Sequence, residues 1–138
     1  MSIRAIPLLV LAFVLYNAVV MSFGPEVVTD QSQHLIFKMR LLSGGEWEFG
    51  WGDLILLVTL ILLFIEIVKS TFTTTSTLID HALSMIVFMA VGAEFLTVPQ
   101  AATSVFFLIL VATLIDVIGG YTIGIRVARR DLNIGADH

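Results

Sequence analysis

The chain has 138 residues, 58% of them hydrophobic and 13% charged, a net charge of −4 and no cysteine. A soluble domain is about half apolar and about a quarter charged, and one this small cannot hide so much apolar surface in its own core, so lipid is the solvent its composition asks for. The mild negative charge carries no basic stripe, which excludes nucleic acid as a partner. The missing cysteines exclude disulfides, thiolate catalysis and cysteine-ligated metal.

Four apolar runs, at 5–23, 52–69, 78–96 and 98–128, each approach the roughly 20 residues that a helix needs to cross hydrocarbon. Backbone groups in lipid must be satisfied within their own segment, so these runs are expected to be helices. The predicted fold is all-α: one integral membrane domain, a four-transmembrane-helix bundle with a short interfacial segment between the first two spans.

The first run follows Arg4, has Pro7 in its first turn, where a missing N–H costs little, and is stopped by Gly24-Pro25. A cleaved leader would have to be cut after Ser22 and Gly24, directly before Pro25, and its apolar stretch is long for that purpose; an uncleaved anchor is expected. In the 24–50 loop, the stretch from Gln33 to Leu42 fits two periods. Helical spacing puts Leu35, Met39 and Leu42 on one face; alternation puts Leu35, Phe37, Met39 and Leu41 on one side. Basic residues beside an apolar face favour a short interfacial helix. Trp47, Phe49 and Trp51 then cluster where the second span enters the bilayer, with Asp53 as its N-terminal cap.

The second span closes on Glu66 and Lys69, whose i, i+3 spacing permits an ion pair. A polar loop, 70–77, follows. Thr77-Leu78-Ile79-Asp80 reads as a capping box opening the third span, and Thr97-Val98-Pro99-Gln100 as a second one opening the fourth, which would join these two helices by a very short connection. In the third span, His81 and Ser84 extend a polar layer inward. Glu94 lies near its other end, at the depth of Asn17, and a hydrogen bond between these two is expected. In the fourth, Asp116 falls roughly 27 Å along the run at 1.5 Å per residue. It sits in a stripe of small residues, Ala112, Gly120, Gly124 and Ala128, that should turn it toward protein.

Arg4, Lys69, Arg126, Arg129 and Arg130 would share one side, against Lys38 and Arg40 on the other; five basic residues against two put both termini in the cytoplasm.

An ionisable residue at the centre of a membrane helix costs about 2.5–3.5 kcal/mol on insertion scales, so each one needs a reason. Glu66 with Lys69 has a structural reading, an interfacial pair with the lysine reaching for headgroups. It also has a functional one: a carboxylate facing Asp116 at similar depth, the raw material of a proton or cation site. Asp80 and His81 are explained by capping and ordinary hydrogen bonding. One core histidine among scattered carboxylates lacks the ligand spacing of a metal site, and no nucleophile is paired with a base, so neither metal, cofactor nor catalytic residues are assigned.

The stretches Phe64-Ile65-Glu66-Ile67-Val68-Lys69-Ser70, Ile79-Asp80-His81-Ala82-Leu83-Ser84-Met85, Ala93-Glu94-Phe95-Leu96 and Leu114-Ile115-Asp116-Val117-Ile118-Gly119-Gly120, continuing to Ala128-Arg129-Arg130-Asp131, resemble a group of uncharacterised small inner-membrane proteins of proteobacteria. The layout is also similar in length and topology to the phosphate-starvation-inducible PsiE family. The resemblance implies a multi-pass protein of the bacterial inner membrane and supplies no catalytic residue. Two functions are then open. One is a non-catalytic accessory, assembly or regulatory subunit, as a homo-oligomer or in a larger membrane complex. The other is an oligomeric proton- or cation-conducting protein using Glu66 and Asp116.

Overall fold

The computed structural model describes residues 6–30, 32–72 and 77–136. Helix α1 (Leu9–Phe23) is followed by a single turn, α2 (Glu26–Thr29), and a two-stranded antiparallel hairpin, β1 (Leu35–Arg40) and β2 (Glu46–Gly50). Then come α3 (Trp51–Ser70), α4 (Thr77–Thr97), a 3-10 turn (Pro99–Ala101) and α5 (Ser104–Ala136). Among the described residues, three helical segments, Trp51–Ser70, Ile79–Thr97 and Ser104–Val127, are long and apolar enough to cross a membrane. α1 is apolar but has 15 residues, about 22 Å of helix against a hydrocarbon core of about 30 Å.

The chain is mostly helical, but the all-α expectation needs correcting. Between α1 and α3 the alternating period wins over the helical one, and the segment read as an interfacial helix is β1. Phe37 pairs with Phe49 and Met39 with Trp47, while Lys38 pairs with Glu48 and Arg40 with Glu46. Side chains on a strand alternate faces, so one face is aromatic and apolar and the other charged. The turn decides the outcome: Leu41 accepts from Gly44 N–H (2.9 Å) and donates to the Gly45 carbonyl (2.8 Å), and Gly44 has φ +87°, a left-handed conformation that glycine adopts without strain.

β2 runs straight into α3. Gly50 is both the last strand residue and the cap of the helix, and its N–H donates to Asp53 Oδ2 at 3.0 Å. Asp53 is therefore the third helical residue reaching back, not the cap itself. At Gly52 a Cβ would lie 3.1 Å from Val105 Cγ2 and 3.1 Å from the Val28 carbonyl oxygen, so α2 and α5 close on the start of α3 there.

α5 is the central helix, packed against both α3 and α4. Its start also differs from the expectation. Thr97 does not open a box; its hydroxyl donates to the Ala93 carbonyl inside α4 (2.6 Å). The cap is Thr103, whose Oγ1 accepts from Phe106 N–H (3.1 Å). Pro99 is spent on the 3-10 turn, so the helix begins at Ser104 and not near Val98. The largest buried cluster gathers Tyr16, Val20, Ile55, Val91, Phe106 and Ile109. A smaller one, Leu9, Ala12, Leu63 and Ala112, joins α1, α3 and α5 toward the opposite end. α4 is peripheral: only 6% of its span is buried, against 39% for α5. The side chains of Arg4, Thr77 and Ala128, most of the 70–77 loop and His138 lie outside the described residues.

Candidate functional site

The polar residues singled out from sequence fall into two groups at opposite ends of the bundle. At the Lys69 end, Glu66 is buried (7% exposed) and its Oε1 accepts two hydrogen bonds, from Leu8 N–H at 2.8 Å and from Lys69 Nζ at 2.9 Å. Lys69 also donates to the Ile6 carbonyl at 3.3 Å. The first N–H groups of any helix lack intrahelical acceptors. No side chain of α1 supplies one at its cap, and Glu66 supplies it from a helix 58 positions away in sequence. A carboxylate is well placed there, because the helix dipole puts positive charge at that end. The ion pair expected from spacing is present, and it clasps the start of α1.

Asp116, on α5, is buried (6% exposed), as are the stripe residues Ala112, Gly120 and Gly124. With α5 starting at Ser104, Asp116 lies about 18 Å along it at 1.5 Å per residue, well short of the depth reckoned from Val98. It faces the Ser84 hydroxyl of α4 and lies within electrostatic range of Glu66 and Lys69. Asp80 is also within range of Glu66 and Lys69. Its Oδ1 is buried and makes no hydrogen bond among the described residues, so no capping contact among them accounts for that oxygen. Lys69 is thus ion-paired to Glu66 alone among these carboxylates and acts on Asp80 and Asp116 only at longer range. His81 sets its ring edge-on against Tyr121, with centroids 5.4 Å apart. A Cβ added at Gly120 would meet His81 Cε1 at 3.6 Å, an ordinary contact, so the packing does not require glycine at this position of the stripe.

No family model, no curated protein and no solved structure matches this chain. Its chemistry must be read from its own geometry.

At the other end, Asn17 Nδ2 donates to Glu94 Oε2 at 3.1 Å, joining α1 to α4 as their common depth suggested, and also to the Phe13 carbonyl at 3.0 Å. Beside it is a site that sequence reasoning passed over. Tyr16, 1% exposed, donates to the Gln100 carbonyl (2.8 Å) and shares a 2.7 Å hydrogen bond with Thr103 Oγ1, while its ring packs 4.9 Å from Phe106. The signal was available: a phenol in the middle of an apolar run needs a partner for its hydroxyl. Its partners, 84 and 87 positions away, could not be named from sequence.

Among the described residues, no three His, Asp or Glu side chains converge on a point where they could hold a metal ion. Grooves described on the surface are mostly apolar. One of about 450 Å³ runs between α4 and α5 past His81, Met85, Val117 and Tyr121. Another of about 260 Å³ separates α3 from α5 along Leu60, Leu63, Leu108 and Ile115.

Proposed function

We propose that this chain is a small, non-catalytic, four-pass protein of the bacterial inner membrane. In this reading it serves as an accessory, assembly or regulatory subunit of a homo-oligomer or a larger complex, with both termini in the cytoplasm. The observation that carries it is the clasp. Glu66, one of the two carboxylates that a conducting path would use, is held by two donors and ties α3 to the start of α1.

A fourth crossing by α1 is supported by where its ends lie. Leu8 sits beside Glu66 near one end of α3, and the α2 turn that follows α1 reaches Gly52 at the other. α1 thus runs alongside nearly the whole of α3. A 15-residue helix can be accommodated by local thinning of the bilayer or by its flanking residues. The partner role is supported by α4. It exposes Ala82, Ala90 and Ala93 on a helix of which this chain buries little beyond the side packed on α5, and small side chains let a second helix approach closely.

The natural chain has no cysteine, so single substitutions report cleanly. Ala90→Cys is expected to give a discrete cross-linked product in native membranes, and Leu60→Cys, exposed on α3, is not. Equal and diffuse labelling at both positions, with a monomer recovered in mild detergent, would overturn the subunit reading.

A second reading is favoured by one observation, an Asp80 Oδ1 without a hydrogen-bond partner among the described residues, within electrostatic range of the Lys69–Glu66 pair that also acts on Asp116. Such a layer could pass protons or cations in an oligomer. In liposomes, Asp116→Asn should then abolish flux that the parent protein supports; flux that survives the substitution, or a silent parent, counts against it.

A further inference from the structure

We propose that the β1–β2 hairpin is a membrane-interface anchor, lying on the bilayer surface at the start of α3 with its aromatic face against the lipid. The inference rests on the reading of α3 as a membrane span and goes beyond it, because nothing in the hydropathy of α3 says how the preceding loop is held.

From Phe37 onward, past an irregularity in the pairing at Leu35–Phe37, the two faces of the hairpin differ in chemistry. On one, Phe37 stacks on Phe49 (4.9 Å, 11° between planes), and Trp47 meets both edge-on at 5.2 and 5.9 Å. Met39 pairs with Trp47 on the same face. On the other, Lys38 bridges Glu46 (3.0 Å) and Glu48 (3.6 Å), with Arg40 opposite Glu46. The apolar face is uncovered: Phe37, Met39 and Trp47 are 39–50% exposed, and Leu42 at the turn is fully exposed. A lone two-stranded hairpin is at best marginally stable in water and needs something to pack on.

Continuity with α3 identifies the occupant. No linker separates strand from helix, since Gly50 belongs to both. A five-residue strand spans about 17 Å, so the whole aromatic face stays within that distance of the bilayer edge. Standing upright, the hairpin would hold Trp47 and the Leu41-Leu42 tip in water. Lying flat, it brings them to the headgroup layer, where indole and phenyl rings are favoured, and leaves the ion-paired face to water.

The chain has two tryptophans, and each can be made the sole reporter. In liposomes, Trp51→Phe leaves Trp47 alone and Trp47→Phe leaves Trp51 at the first residue of α3. Lipids brominated near the headgroup end of the acyl chain should quench most of the Trp47 emission, aqueous acrylamide should quench little of it, and Leu42→Glu should shift Trp47 toward the acrylamide-accessible state. Trp47 quenched freely by acrylamide and untouched by bromolipid overturns the anchor. Protection from both quenchers also overturns it, in favour of a second copy or a protein partner on this face. Trp51 is the control for the underlying reading: if it too escapes bromolipid, the failure lies with α3 as a membrane span and not with the hairpin.

Discussion

Two lysine–glutamate pairs of nearly equal length hold opposite ends of this molecule, and their surroundings make them different interactions. Lys69–Glu66 is 2.9 Å long, with side chains 27% and 8% exposed; Lys38–Glu46 is 3.0 Å long, with side chains 48% and 59% exposed. The first is shielded, and its carboxylate also satisfies a backbone N–H that has no other acceptor among the described residues. The second is screened by water and salt and costs side-chain entropy to hold. Bond length therefore says little about what a pair does. What decides is the dielectric around it and the group left stranded when it breaks.

The comparison can be broken by substitution. Glu66→Ala should have the largest effect, about 3–5 kcal/mol, because it strands the Leu8 N–H and takes from a partly buried ammonium its ion-pair partner, leaving it the Ile6 carbonyl. Reversible unfolding in mixed micelles measures it, and Glu66→Gln, which keeps an acceptor for Leu8, should lose distinctly less. Equal losses for the two variants would mean that the backbone hydrogen bond contributes nothing. Tyr16→Phe comes next, at about 1–3 kcal/mol, since it removes the hydroxyl shared with Thr103 and Gln100 from a dry site. Asn17→Ala, which cuts a bond between a neutral donor and Glu94, should cost about 0.6–2 kcal/mol, the range for interhelical hydrogen bonds in membranes.

Lys38→Ala should leave unfolding unchanged within error, and a loss near that of Glu66→Ala would sink the contrast. The hydrogen bond to Glu46, then its charge, holds Lys38 above the ordinary lysine value of 10.5. A raised value in the folded state means that whatever the pair contributes is fully present below 10.5 and fades only as pH rises through the folded value. The hairpin should accordingly hold its near-UV circular dichroism signal unchanged from pH 6 to about 9.

Much of the helical layout was legible because hydropathy is a local property. The runs read at 52–69 and 78–96 differ by a residue or so from α3 and α4. The Lys69–Glu66 pair followed from helical spacing alone. The Asn17–Glu94 bond followed from depth, since two polar groups at one level in apolar surroundings have few other partners. The hairpin was misread because its apolar residues satisfy two periods at once. Ser43-Gly44-Gly45 carried the deciding information, as a turn that needs a left-handed residue. The start of α5 was misread because Thr97 and Thr103 both precede apolar residues, and only packing against Tyr16 and Phe106 selects the second.

By itself, then, the sequence determined which solvent the helices suit, roughly where they run, and that carboxylates such as Asp116 must turn toward protein, since a run of apolar side chains states its preference for hydrocarbon without reference to anything distant. Only the tertiary structure decided what those carboxylates touch. Glu66 could have faced an open path, but it closes on the backbone of Leu8. Helical spacing places a side chain on a face, and the packing of other helices determines what that face meets.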